Sequence, residues 1–306
     1  METISSDKTI NLFFNKQPSM KATAFLAFLG RSSKFDAGNP FPRIQAQHNG
    51  VVIDKSQLAE FSSLCGTENT DKLPVIFPFT LIYPLLQRIL AHKAAPLSLF
   101  QVLNSRIQVL QYRRIGIDET LDLSCAIAGH RLREKGLEMD IASVVKSSGT
   151  TVWENTQTFY YRGKFGTPDN GYQPPQFQSI PNAQETARWL LPGGIGRRFS
   201  KVSGDGNPIH YWKSYARLFG FRRDFAQPLL VIGSSLKYLI KPGYENAIAL
   251  DIALKAPIYY DCNIILKSKQ DKGAKFFDIY MEENPLPCIC GQLKFLTANE
   301  IPAKSV

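Results

Sequence analysis

Phe199-Ser200-Lys201-Val202-Ser203-Gly204-Asp205-Gly206-Asn207-Pro208-Ile209-His210, followed after five residues by Ala216, is the stretch on which the reading of this chain turns. Gly204, Gly206, Asn207 and Pro208 are turn formers, so the segment is expected to leave a strand near Val202 and to hold Asp205 and His210 in a rigid loop. A carboxylate and an imidazole so placed can converge on one small volume. Together they can position a water and shuttle its proton, because a histidine titrates near ~6.5 and a carboxylate can orient it or hold the water.

The stretch resembles the signature of the MaoC-like hydratases and dehydratases, also called the hydratase 2 or (R)-specific enoyl-CoA hydratase family. That signature is an aromatic residue, a short gap, an aliphatic, then Ser-Gly-Asp-x-Asn-Pro-aliphatic-His and, after another gap, Ala or Ser. Phe199, Val202, Ser203, Gly204, Asp205, Asn207, Pro208, Ile209, His210 and Ala216 match every position. The resemblance implies an α+β double hotdog fold and a lyase of fatty acid metabolism. Its reaction would be the reversible syn addition of water to a trans-2-enoyl thioester, giving the (R)-3-hydroxyacyl thioester. Asp205 and His210 would hold and activate the water and return a proton to the α-carbon. Ser203, Gly204 and Asn207 would stand at the substrate, Asn207 also fixing the loop. The substrate would be a coenzyme A or acyl carrier protein thioester, with no metal or redox cofactor.

One departure qualifies that expectation. In relatives of this kind Gly-Phe is followed by an aliphatic pair and His-Gly, whose glycine N–H binds the thioester oxygen at a helix N-terminus. Here Gly220-Phe221 is present, but Phe225-Ala226-Gln227-Pro228 puts Gln-Pro in place of His-Gly, and proline has no N–H. Losing one such donor costs about 10² to 10³ in rate, unless the amide of Gln227 or the N–H of Leu229 substitutes. Two other readings therefore stay open: a non-catalytic or weakly active acyl-CoA-binding protein, and a hotdog thioesterase using Asp205 as base or nucleophile.

Arg197, Arg198, Lys201, Lys213, Arg217, Arg222 and Arg223 surround the stretch, with Asp205 as the one acid before Asp224. Such a rim suits the phosphates of coenzyme A or the acidic surface of a carrier protein. Arg197, Arg222 and Arg223 are the candidate contacts.

Further out, residues 163–181 read GKFGTPDNGYQPPQFQSIP, where glycine, proline and amides crowd out packing residues, and are expected to be a linker. Before it, 121–127, 139–145 and 151–160 carry β-branched and aromatic residues in partly alternating order, and 248–254, 262–266, 276–280 and 292–296 repeat that rhythm after it. Each run follows an apolar helix candidate, Tyr83-Pro84-Leu85-Leu86 and Gln227-Pro228-Leu229-Leu230, with each proline expected in a first helical turn. A helix then strands, occurring twice, predicts a duplicated unit. Residues 1–162 would be a non-catalytic repeat, its stretch from Leu73 to Leu90 shaping an acyl tunnel, and 182–306 the repeat with the reaction loop. The two would form a pseudo-dimer within one chain, with a homodimer also open. Asp36-Ala37-Gly38-Asn39-Pro40 echoes the motif without a histidine and reads as a turn. Gly193-Gly194-Ile195-Gly196 lacks the third spaced glycine of a dinucleotide loop and is expected to be a bend leading into a strand.

The whole chain fits this plan. Its 306 residues amount to about two domains, and 44% apolar with 20% charged residues is ordinary globular usage. Five cysteines without framework spacing suit reduced thiols in the cytoplasm. Cys288-Ile289-Cys290 lacks the second ligand pair of a zinc site. No signal-peptide pattern, spanning segment or helix-turn-helix, zinc-finger or aromatic-basic signature is found, so neither membrane nor nucleic acid is an expected partner. Lys and Arg total 36 against 26 Asp and Glu, and the net +10 points to a polyanionic partner.

Overall fold

The computed structural model describes residues 9–29, 35–36, 41–68, 70–97, 99, 102–171, 177–241 and 243–302. Residues 37–40 of the turn echo and 172–176 of the expected linker lie outside the described residues.

The chain forms one sheet of 11 strands. Before residue 163 these are β1 (Ile10–Phe14), β2 (Ile44–Val52), β3 (Leu103–Gln111), β4 (Thr120–Arg133), β5 (Gly136–Ser147) and β6 (Thr150–Arg162). After it come β7 (Gln184–Leu191), β8 (Ala247–Leu254), β9 (Cys262–Asp271), β10 (Ala274–Met281) and β11 (Ile289–Leu296). All seven strands expected from alternation are present. The alternation is visible in β5, where Leu137, Met139, Ile141 and Val145 are buried between half-exposed neighbours. Between Arg162 and Gln184 no helix or strand occurs among the described residues.

Strand order is β1-β2-β4-β5-β6-β3-β8-β11-β10-β9-β7. Apart from β1, which pairs in parallel with β2, the order is a palindrome about β3 and β8. Each side presents a helix followed by four strands: α3 (Pro78–Leu90) then β3 to β6, and α6 (Pro228–Leu239) then β8 to β11. This is the double hotdog arrangement. At the centre β3 and β8 pair antiparallel, with Ile107 opposite Ile252 and Val109 opposite Leu250. The Arg106 guanidinium crosses this seam and holds both oxygens of Asp251, at 2.8 and 2.6 Å. One buried apolar cluster runs through both halves.

Two local expectations are corrected. Pro228 does open α6, but Pro84 sits inside α3, because Pro78 takes the first helical position and the helix starts a turn and a half earlier. The carbonyl of Thr80, which would accept from residue 84, instead receives Gln17 Nε2 at 3.5 Å. The residues before the loop of Gly204 to His210 are helix and not strand: α4 spans Ile195–Ser203. Gly196, Phe199, Ser200 and Ser203 share its buried face at helical spacing, and Gly194 provides its left-handed N-cap, so the glycine run opens a helix where a bend into a strand was expected. Three further helices are α1 (Met20–Leu29), α2 (Lys55–Cys65) and α5 (Lys213–Leu218), of which α2 packs against α4. No helix among the described residues is long and apolar enough to cross a membrane.

Candidate active site

The loop leaving α4 is pinned at both ends. Gly204 caps the helix with φ 75°, and a side chain there would bring its Cβ within 3.2 Å of Pro84. Only glycine accepts both constraints. Gly196 permits a second close approach, since a Cβ would meet the Tyr260 hydroxyl and the His210 carbonyl. Between these points Asp205 N donates to Ser203 Oγ at 3.2 Å, and Ser200 Oγ donates to the Asp205 carbonyl. Asn207 caps a 3₁₀ turn, Pro208–His210, accepting from Ile209 N at 3.3 Å. Tyr260 donates its hydroxyl to the His210 carbonyl at 2.8 Å. Most of the loop's backbone polar groups are hydrogen-bonded, and the Asp205, Asn207 and His210 side chains line one cavity.

Asp205 and His210, 8% and 5% exposed, meet there. His210 Nε2 lies 3.3 Å from Asp205 Oδ2. Its Nδ1 is 2.9 Å from the Phe225 carbonyl, which can only accept, so Nδ1 carries the proton and Nε2 is directed at the carboxylate. Asp205 Oδ1 accepts from Asn207 N at 3.1 Å. The imidazole packs edge-on against Phe225, with ring centroids 5.0 Å apart. Tyr83, from α3 in the other half, lines the cavity beside Asp205, and burial foremost, with that negative charge, holds its phenol well above the ordinary range. The Tyr260 phenol is likewise raised, first by burial and then by Asp224 and Asp205.

A cavity of about 210 Å³ opens from this pair. Ser203, Asp205, Asn207, His210, Gln227 and Leu229 all line it, so six of the residues singled out in the sequence are brought together. Gly204 shapes the loop from behind. The three arginines are placed otherwise. Arg223 is bound to Asp224 and Asp261, both at 3.1 Å, and Arg222 stacks over Tyr259 at 5.0 Å. Arg197 is exposed on α4. None of them lines the cavity. Of residues 73–90 only Tyr83 reaches it, because the apolar side chains of α3 are spent against β2, β4 and β5. The apolar wall comes instead from Val102, Leu103, Ile107 and Phe159 of the first half and Leu254, Ile258 and Ile289 of the second.

The N-terminus of α6 points its first turn at the same space. Pro228 brings no N–H, and Leu230 N donates to Gln227 O at 3.1 Å. The Gln227 amide donates to Gly196 O at 3.0 Å. The Leu229 N–H makes no hydrogen bond among the described residues and lies at the positive end of a helix dipole. Sequence reasoning missed Tyr83 and two cavity amides, Asn104 and Gln157. For Tyr83 the available signal was a polar group in a largely apolar run; Asn104 and Gln157 stand among other polar residues, which hides them.

No family model matches the chain. Among curated proteins it is 23% identical to 3-hydroxyacyl-thioester dehydratase X of Mycobacterium tuberculosis, over 68% of this chain and 74% of that protein. It is 30% identical to the peroxisomal enoyl-CoA hydratase 2 of Arabidopsis thaliana, over 42% of this chain and 46% of that protein, so it spans less than half of that relative. In fold it is similar to the crystal structure of HtdX of Mycobacterium tuberculosis, with TM-score 0.72, 19% identity, and coverage of 82% of this chain and 100% of that one. A MaoC-like dehydratase from Phytophthora capsici follows at TM-score 0.69, 15% identity and coverage of 85% and 97%. A further Mycobacterium tuberculosis protein, described as having a double hotdog fold, superposes at TM-score 0.54, 11% identity and coverage of 88% and 96%.

Proposed function

We propose that this MaoC-like double hotdog chain is a hydro-lyase that adds water to a trans-2-enoyl thioester, or removes it from the 3-hydroxyacyl product, with Asp205 and His210 as the acid-base pair. The observation that carries the reading is the buried pair itself, 3.3 Å apart on the wall of an apolar cavity. Its likeness to a curated 3-hydroxyacyl-thioester dehydratase and to an enoyl-CoA hydratase supports the same reaction class.

With Nδ1–H committed to Phe225, a neutral His210 and an ionised Asp205 present two acceptors side by side. A water donating one hydrogen to each leaves its lone pair free for the β-carbon of the enoyl group. As the C–O bond forms, that water's proton passes to one member of the pair, and a proton from the pair goes to the α-carbon; the pair ends as it began. The apolar wall receives the acyl chain, and the thioester oxygen, which gains charge in the transition state, is met by the Leu229 N–H.

Pro228 favours a second reading, thioester binding with slow turnover, since it removes one donor from the helix end. Purified protein given crotonyl-CoA, with enoyl absorbance and free thiol followed together, separates the possibilities. Absorbance lost without thiol release supports hydration. Thiol release points to a thioesterase, and binding without either change to a non-catalytic protein.

A further inference from the structure

Gln157, on β6, is 1% exposed and lines the cavity that holds Asp205 and His210. Its amide makes no hydrogen bond among the described residues, and Oε1 is buried without a partner. Asn104, on the neighbouring strand β3, lines the same cavity, and its Oδ1 is buried and unpartnered too. The surrounding wall is apolar: Ile107, Phe159, Leu254 and Ile289. Asn155, two residues away on β6, also has a buried, unpartnered Oδ1, but it does not line this cavity and its Nδ2 donates to Gln108 O at 3.0 Å. A leucine at position 157 would fill the wall without burying an unpaired amide, which is among the costlier things a folded chain carries. An amide kept at such a place is satisfied when a ligand brings the missing partner.

We infer that Gln157, with Asn104 beside it, binds a hydroxyl on the acyl chain, so that the preferred substrate is a hydroxylated enoyl thioester and not a plain hydrocarbon one. A hydroxyl both donates and accepts, so it pairs with either end of an amide. This rests on the hydro-lyase reading for its reaction and on the cavity alone for its binding. An apolar pocket discriminates weakly against an added hydroxyl, whereas a site built to hydrogen-bond one rejects the chain that lacks it, because the amide is then left buried and unpaired.

The test uses trans-2-enoyl-CoA thioesters of one chain length, unsubstituted or bearing a single hydroxyl at successive carbons beyond C4. For at least one position the wild type is expected to give a kcat/KM about tenfold or more above that of the unsubstituted thioester. Gln157→Leu is expected to erase this preference and to raise kcat/KM on the unsubstituted chain. Equal kcat/KM across the series overturns the inference, as does a preference that survives in Gln157→Leu. Failure of every thioester to be hydrated would count against the reaction and not the subsite. Calorimetric binding of the saturated counterparts to wild-type protein therefore reads the subsite separately: about tenfold tighter binding of one hydroxylated chain supports it, and equal Kd values overturn it.

Discussion

His210 reaches Asp205 with one ring nitrogen, at 3.3 Å, while the other is held at 2.9 Å by a main-chain carbonyl. The carbonyl fixes the tautomer, and the tautomer decides that the nitrogen beside Asp205 is the one able to take a proton. Removing either member is therefore expected to lower kcat by about 10² to 10⁴. Asp205→Asn and His210→Ala, assayed by enoyl absorbance with circular dichroism as the check on folding, should each show this loss. Retained turnover in both would remove the pair from the chemistry.

Tyr83 approaches Asp205 from the opposite half of the chain. Tyr83→Phe keeps the ring in place and removes only the hydroxyl, so kcat should fall about tenfold with KM and melting temperature little changed. A loss confined to stability would show the hydroxyl to be a packing feature.

At the head of α6, Pro228→Gly supplies an N–H next to the one that Leu229 already offers. If the missing donor limits the wild type, kcat rises by about 10². The melting temperature should drop slightly, since proline is well suited to the first helical position and glycine is not. An unchanged kcat would mean that the Leu229 N–H suffices.

Gly204→Ala tests the hinge of the reaction loop. It places a side chain at φ 75° and 3.2 Å from Pro84, and is expected to cost about 1 to 3 kcal/mol in stability. Because the residue that moves is next to Asp205, kcat should fall as well.

A pH-dependent prediction concerns the turn between β3 and β4. Glu119 receives two bonds from Arg113, both 2.7 Å, one from Ser147 at 2.5 Å and one from Gly116 N at 2.6 Å. The Arg113 guanidinium foremost, with Ser147 and the Gly116 amide, holds its carboxyl down at about 2. A carboxyl lowered by folding stabilises the fold above its unfolded value near ~4.3 and loses that contribution as pH falls toward its folded value. Glu119→Gln should thus melt lower than wild type at pH 7, and the gap should close between about pH 4.5 and pH 2. A constant gap across that range would show that charge plays no part.

Much of this was legible in the sequence. Residues 203–210 announce both members of the pair because the turn-forming letters between them are local, and alternation in strands such as β5 is local too. Tyr83 and Gln157 were not legible: Tyr83 stands in a largely apolar run and Gln157 among Asn155, Thr156 and Thr158, and each acquires meaning only from the cavity that both halves enclose. Pro84 was misplaced because Pro78, six residues earlier, is the better helix start, and both satisfy the same rule. The helix α4 was read as a strand end because Phe199 and Val202 suit either period over so short a span, and the glycine caps on both sides decide it.

The palindromic sheet has one more consequence. In a pair of identical subunits related by a two-fold axis, every substitution is written twice, so a change that widens one pocket also alters its twin. Here the wall of the cavity is drawn from both sides of the β3–β8 seam, yet each side has its own letters. Under the proposed reading, Asn104 and Gln157 on one side can therefore change toward a new acyl chain without any copy of that change falling on Asp205 and His210 on the other.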